Sequence, residues 1–353
     1  MAKRSSQVRS AGHSIALPDP IGFALIGAGL MGAFHARTLV SLPGAVLRWV
    51  VDVDRDLARR SASLSPDVQA GVEASEAMAD PAVQAVVIAS PSHTHGDLIK
   101  AAAAAGKAVF CEKPLGTSGS EAVEVAESVR GAGVPFQIGF QRRYDAGVAR
   151  LLEHVRSGAL GRVETFRSVT SDPEGPSFEG MKRAAGIFHD TLSHDMDLAL
   201  AVAGSIAEIR TLGAALTNAR FAELGKPDTT VMALRFESGA LGVIENRLRN
   251  AYGYETVLEV GGSESKGIVR ADELDRLTIY RKGRIERTHA PWFLERFAEA
   301  YRAELAAFVA ALRTGSRPTP GIRQGLAVLA ACEAAERSYL TGEPQAPRPV
   351  DVQ

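Results

Sequence analysis

Three groups of residues in this chain have types and spacings suited to chemistry. The first is Gly27-Ala28-Gly29-Leu30-Met31-Gly32, a G-x-G-x-x-G that follows an apolar run and opens a helix-like stretch. In that setting the first glycine permits a tight turn and the second lets the backbone approach a pyrophosphate. The third lets helix and strand pack closely. The helix N-terminus then offers unpaired N–H groups and partial positive charge to phosphates. Asp52 stands 20 positions past Gly32, at the end of the next apolar run. A carboxylate there accepts hydrogen bonds from ribose hydroxyls and repels a 2′-phosphate. The pattern points to NAD, with Arg55 leaving NADP as the alternative.

The second group follows two later apolar runs. Ser90-Pro91-Ser92-His93-Thr94-His95 succeeds residues 85–89, and Glu112-Lys113-Pro114-Leu115-Gly116 ends the run at 108–111. Carboxyl ends of parallel strands face the ligand crevice, so Lys113 is expected at the nicotinamide end of a dinucleotide. Pro114 fixes the backbone just beyond it. The third group is Asp190 and His194, four positions apart. On one helix they share a face. A carboxylate near an imidazole can set its tautomer and raise its basicity, as a general base requires. On spacing alone, such a pair is more often a solvated helix pair than a catalytic dyad.

These groups need elements to hold them. Up to about residue 140, apolar runs (21–27, 46–53, 85–89, 108–111, 136–140) alternate with helix-like stretches (30–42, 55–64, 96–105, 120–130). Continuous apolar runs imply strands covered on both faces, hence a doubly wound α/β domain with a parallel sheet, a Rossmann fold. Beyond it the pattern predicts a helix at 145–157, a strand at 163–170, a Pro/Gly-rich loop at 172–186 and a helix at 190–202. Strands at 206–216, 229–236, 241–248, 255–260, 267–270 and 277–280 come in quick succession. That half reads as α+β with an open, mostly antiparallel sheet. Two helices close the chain, the first carrying a stripe of Phe293, Phe297, Tyr301, Leu305, Phe308 and Leu312 that belongs to a core. The division is residues 21–141 for a dinucleotide-binding domain and 142–341 for a substrate-binding and oligomerisation domain, with tails at 1–20 and 342–353.

Composition narrows the function classes. The 353 residues are 46% hydrophobic and 23% charged, with net charge −1, so no strong field recruits nucleic acid or an anionic membrane. No apolar stretch approaches the ~20 residues of a membrane helix. Residues 1–20 lack the apolar region of a secretory signal. Cys111 and Cys332 show no zinc-ligand spacing and fit a reducing compartment. The expectation is a cytoplasmic protein without a metal.

The segments 27–32, 90–98 and 111–116, in this order, resemble those of the glucose–fructose oxidoreductase/inositol dehydrogenase/MocA family, and the resemblance runs from Ile21 to about Tyr339. It implies that Lys113 is catalytic or positions substrate, and that Asp190 and His194 complete the active site with it. Within the family, residues 139–145, 171–173, 244–246 and 252–255 look like those of inositol 2-dehydrogenases. In that subgroup a tyrosine lines the polyol pocket, and both Tyr252 and Tyr254 are candidates. The implied reaction is NAD-dependent oxidation of a secondary hydroxyl of a cyclic polyol, myo-inositol to 2-keto-myo-inositol, with His194 taking the proton. An aldose, a sugar acid or another inositol isomer is the alternative substrate, and a non-catalytic NAD/sugar sensor is the reading from another class.

Cofactor contacts are expected from Gly27, Gly29, Leu30, Met31, Gly32, Asp52, Ser90, His95, Glu112 and Lys113. His95 is expected at the crevice wall, and His35, His154 and His289 are read as surface or structural. Asp195 and Asp197 could reach substrate hydroxyls, or Asp197 could be a solvated helix residue. Ser193 departs from an isoleucine found in many inositol enzymes, Ala184-Ala185 replace a glycine-rich stretch, and the loop 174–183 is peculiar to this chain. Family members associate as dimers or tetramers through the open sheet, so a homo-tetramer is expected.

Overall fold

A computed structural model describes residues 17, 19–270 and 273–348, so the expected tails lie largely outside the described residues. The N-terminal part alternates strand and helix: β1 (Ile21–Ile26), α1 (Leu30–Ser41), β2 (Ala45–Val51), α2 (Arg55–Ala62), β3 (Gln69–Gly71), α3 (Ala74–Ala79), β4 (Ala85–Ile88), α4 (His95–Ala104), β5 (Ala108–Glu112), α5 (Gly119–Ala132) and β6 (Phe136–Gly139). The six strands pair in parallel in the order β3-β2-β1-β4-β5-β6. β1, β4, β5 and β6 are buried at every residue, which is why their sequences are apolar without alternation. The order reverses between β1 and β4, so a ligand crevice opens at their carboxyl ends, where Gly27 and Ser90 lie. β3 and α3 were not expected, since three residues without burial and a six-residue helix carry almost no periodic signal.

The rest of the chain forms α6 (Ala146–Arg156), β7 (Val163–Ser171), α7 (Phe178–Arg183), α8 (Ile187–Asp190), α9 (Leu192–Ala203), β8 (Ile206–Ala214), β9 (Thr229–Phe236), β10 (Leu241–Arg247), β11 (Glu255–Gly262), β12 (Lys266–Arg270), β13 (Glu273–Arg281), β14 (Arg284–His289), α10 (Phe293–Thr314) and α11 (Ile322–Thr341). Its sheet runs β12-β11-β7-β10-β9-β8, antiparallel except where β7 meets β10 in parallel.

Three expectations change here. The strand at 277–280 lengthens into β13 and pairs with β14 in a separate hairpin; β14 is polar and shows no apolar run. The loop at 172–186 contains α7, which Ser177 caps by accepting from the Gly180 N–H. Lys226 secures its far end by donating to the Met181 and Ala184 carbonyls at 2.9 and 2.7 Å. The single helix expected at 190–202 is two, α8 and α9, divided at Thr191.

α10 crosses back to the first sheet. Leu305, Phe308, Val309 and Leu312 join one core with Ile21, Phe23, Leu25 and Phe110. Phe308 lies edge-on to Phe23 and tilted on Phe110, with ring centroids 6.3 and 5.8 Å apart. Full burial of such side chains contributes about 1.5–3 kcal/mol each. The amino-terminal turns of α10 place Phe297 and Tyr301 in a second cluster with Tyr254, Met31 and Phe34.

Candidate active site

The glycine loop has the geometry its sequence requires. Gly27 adopts φ +92°, and a Cβ there would lie 2.5 Å from the Ser90 nitrogen. A Cβ on Gly32 would lie 1.9 Å from the Gly27 carbonyl oxygen, whereas one on Gly29 would meet nothing within 4 Å. The two outer glycines are thus demanded by the protein's own packing, and the middle one faces open space at the start of α1. Leu30 and Met31 form the first turn of that helix. Asp52 is tied to the loop: its Oδ2 accepts from the Ala28 N–H at 2.6 Å and its Oδ1 from the Asp54 N–H at 2.8 Å. A carboxylate has about four acceptor positions, so lone pairs remain for hydroxyl donors.

On the opposite side of the crevice, β5 ends in Glu112, and Lys113 follows it. The Lys113 Nζ donates to the main-chain carbonyl of Asp190 at 2.5 Å, joining the end of the first sheet to the α8–α9 junction of the second half. His194 sits one turn into α9, half-buried, with its Nδ1 buried and without a hydrogen-bond partner among the described residues. Burial, reinforced by the positive Lys113 and Arg142, holds this imidazole well below its ordinary pKa. It is therefore neutral at neutral pH.

Asp190 does not orient His194 here. The break at Thr191 leaves Asp190 as the last residue of α8, and its Oδ2 folds back to accept from the Gly186 N–H at 2.9 Å. Four-residue spacing implies a shared face only on an uninterrupted helix, and this one is interrupted.

A buried polar network stands behind these residues, centred on Arg142; the short basic pair Arg142-Arg143 reads in the sequence as solvated surface, whereas Arg142 is 4% exposed and Arg143 is paired with Asp197. Its guanidinium donates to Thr170 at 2.8 Å, to Asp195 at 3.1 Å and to the Tyr254 hydroxyl at 3.3 Å. Asp195 also accepts from Ser168 at 2.5 Å, Thr170 at 2.9 Å and Asn246 at 2.9 Å. With its oxygens so committed and the residue wholly buried, Asp195 is a structural anchor and not a contact for substrate hydroxyls. Asp197 is likewise not solvated: it is buried and paired bidentately with Arg143 at 2.6 and 2.7 Å. Asp172, just after β7, is a second omission. Burial pushes its carboxyl up to about 6, against the pull of Arg142 and Lys113. The only hint in the sequence was its Ser-Asp-Pro setting at a strand end.

The two candidate tyrosines separate. Tyr254 is buried beside Arg142, and burial raises its hydroxyl to about 12. Tyr252 is 57% exposed and its hydroxyl donates to Glu255 at 2.7 Å, apart from the network.

His95 also differs from expectation as a cofactor contact. It is buried, with ring nitrogens 2.8 and 2.9 Å from the Pro114 and Ser90 carbonyl oxygens, so it staples the two crevice loops together. Ser90 itself shares a 2.6 Å hydrogen bond with Thr94. Glu112 is occupied by His35 at 2.7 Å, which turns a histidine read as surface or structural into a fully buried partner.

The comparisons with known proteins agree with this geometry. Residues 21–140 match an oxidoreductase family with an NAD-binding Rossmann fold, and residues 148–267 match the GFO/IDH/MocA C-terminal domain. The chain belongs to the GFO/IDH/MocA family. It is 34% identical over 318 residues to a myo-inositol 2-dehydrogenase of Thermotoga maritima, covering 89% of this chain and 95% of the relative. It is 33% identical to an NAD(+) scyllo-inositol 2-dehydrogenase of Bacillus subtilis, covering 91% and 94%. Among solved structures, a myo-inositol dehydrogenase of Corynebacterium glutamicum superposes with a TM-score of 0.87 at 28% identity, over 93% of this chain and 99% of the other. As a GFO/IDH/MocA member the chain is an NAD(P)-dependent oxidoreductase, and the crevice fits the dinucleotide: α1 presents its N-terminus beneath the open space at Gly29, with the Asp52 carboxylate bound to the same loop.

Proposed function

We propose that this enzyme oxidises one secondary hydroxyl of a cyclic polyol, myo-inositol to 2-keto-myo-inositol, with NAD as cofactor. The observation that carries the reading is the 2.5 Å contact of Lys113 with the Asp190 carbonyl, which brings an ammonium from one half of the chain to the α8–α9 junction, four residues before a neutral, half-buried imidazole. When bound, the nicotinamide supplies the hydride acceptor. His194 takes the hydroxyl proton, and Lys113 holds the reacting oxygen and stabilises the negative charge that develops on it. The Asp190 carbonyl orients the ammonium, and the Asp190 carboxylate shapes the Gly186 turn that starts α8. Tyr254 and Asp172, both polar and both next to Arg142, line the pocket for the remaining hydroxyls. The relatives named above support the substrate class.

The same reading divides the chain into a cofactor domain at 21–141 and a substrate domain at 142–341. The second sheet exposes Leu212, Val231, Leu241 and Ile268, apolar area that pairs copies of the chain into a homo-tetramer.

The test is NADH and NADPH formation across inositol isomers, aldoses and sugar acids. Turnover of myo-inositol with NAD, well above that of the sugars, is the expected result. Preference for an aldose or a sugar acid would replace the substrate, and no turnover with any of them would remove the dehydrogenase reading.

A further inference from the structure

Beside Lys113 lies a cavity of about 10 Å³ whose wall includes Lys113, Leu115, Phe140, Ser193, Leu329 and Cys332. Ser193, on α9 next to His194, is 3% exposed, and its Oγ is buried without a hydrogen-bond partner among the described residues. We propose that this cavity is a binding site for a single water molecule, which joins the Lys113 ammonium to the Ser193 hydroxyl and makes Ser193 a positioning residue for the lysine. The positioning role rests on the reading of Lys113 as the residue that holds the reacting oxygen.

The argument is one of donors and room. An ammonium has three N–H donors. One goes to the Asp190 carbonyl, and a second is needed for the substrate oxygen. That leaves a third on a residue that also walls a largely apolar cavity, where an unmet donor of a charged group is costly. The volume is close to that of one water-sized probe. It excludes any polyatomic anion, and the ammonium excludes a metal cation. A buried water needs two to four polar partners, and the wall supplies Lys113, Ser193 and Cys332, besides His189, whose Nε2 is already engaged by Glu336 at 3.2 Å. Burial holds the Cys332 thiol above its ordinary range, so it stands in the wall as a neutral S–H. A water held between Ser193 and Nζ fixes the direction of the remaining N–H, the one offered to substrate.

The experiment compares wild type with Ser193→Thr and Ser193→Val, two side chains of nearly equal shape of which only the first keeps a hydroxyl. Crystals of the full chain, at a resolution that shows ordered waters, should place one water within about 3.2 Å of both Nζ and Oγ. It should persist in Ser193→Thr and vanish in Ser193→Val. Independently of any substrate, the pH at which Lys113 becomes reactive to an amine-acylating reagent, read by mass spectrometry, should fall by about one unit in Ser193→Val and hold in Ser193→Thr, because the poorer-solvated ammonium loses its proton more readily. Turnover should drop about tenfold in Ser193→Val and less than about twofold in Ser193→Thr, in line with one lost hydrogen bond to a charged group. A dry cavity in the wild type, a direct Nζ–Oγ contact, or identical Lys113 titration in the two variants would overturn the proposal. An ordered water with shifted labelling but no polyol turnover supports the water site and instead removes the dehydrogenase reading.

Discussion

The two sides of the crevice are built by different means. On the cofactor side the work is done by backbone within one stretch of chain: residues 27–32 turn from β1 into α1, and the one distant participant, Asp52, binds straight back to the Ala28 N–H at 2.6 Å. On the substrate side each polar group comes from a different element. Lys113 follows β5, Arg142 follows β6, Thr170 is on β7, Asp195 on α9 and Asn246 on β10. The cofactor side is therefore limited by the space available to the backbone, and the substrate side by whether buried charges find partners. A phosphate is read by N–H groups that any sequence supplies, while a ring of hydroxyls must be read by side chains brought from afar.

The largest expected effect is on the substrate side. His194→Ala should lower kcat by about 10²–10⁴-fold, the usual worth of general-base catalysis, while a fluorescence titration of NAD stays unchanged. A matching loss of NAD affinity would erase the distinction between the two sides. Arg142→Met leaves Asp195 buried without its cation and should cost about 3–5 kcal/mol in urea unfolding. Gly32→Ala forces a methyl onto the Gly27 carbonyl and should cost about 1–3 kcal/mol, as over-packing does. It should also raise the KM for NAD and leave the KM for polyol untouched.

Next comes a pH effect. Asp172 has its carboxyl pushed up to about 6, so it gains charge as pH rises through that value. The kcat/KM for polyol should climb over the same range, and Asp172→Asn should flatten that limb. The smallest effect belongs to Tyr252→Phe, expected within about 0.5 kcal/mol in stability and with no change in KM. Tyr254→Phe should raise the KM for polyol, which sharpens the choice between the two tyrosines.

Legibility in the sequence followed the same division. Fully buried parallel strands must be continuous apolar runs, so β1, β4, β5 and β6 could be read directly, with the mostly apolar β2 beside them, and the glycine loop announced itself between the first strand and the first helix. The bulk of the second sheet was readable for a related reason: β9 alternates buried and exposed positions along most of its length. Features that depend on distant partners were not. Nothing local marks Arg142 as central, because its partners Thr170, Asp195 and Tyr254 lie 28, 53 and 112 positions away. The pairing of His35 with Glu112 spans 77 positions and converts a residue read as surface or structural into a wholly interior one. The interruption at Thr191 escaped notice because no proline or glycine stands there; it is expressed only in the hydrogen bonds of the folded turn. It changed what Asp190 does while leaving it next to Lys113.

α10 has a consequence for how such enzymes can be recombined. It is encoded within the substrate half, after that half's strands, yet it seals one face of the first sheet through Leu305, Phe308 and Leu312. A chimera joined once near residue 142, with everything downstream taken from another enzyme, would place a foreign lid over this sheet's phenylalanines. The natural cassette for exchange is an insert running from residue 142 to the start of α10, with both flanks kept from one parent.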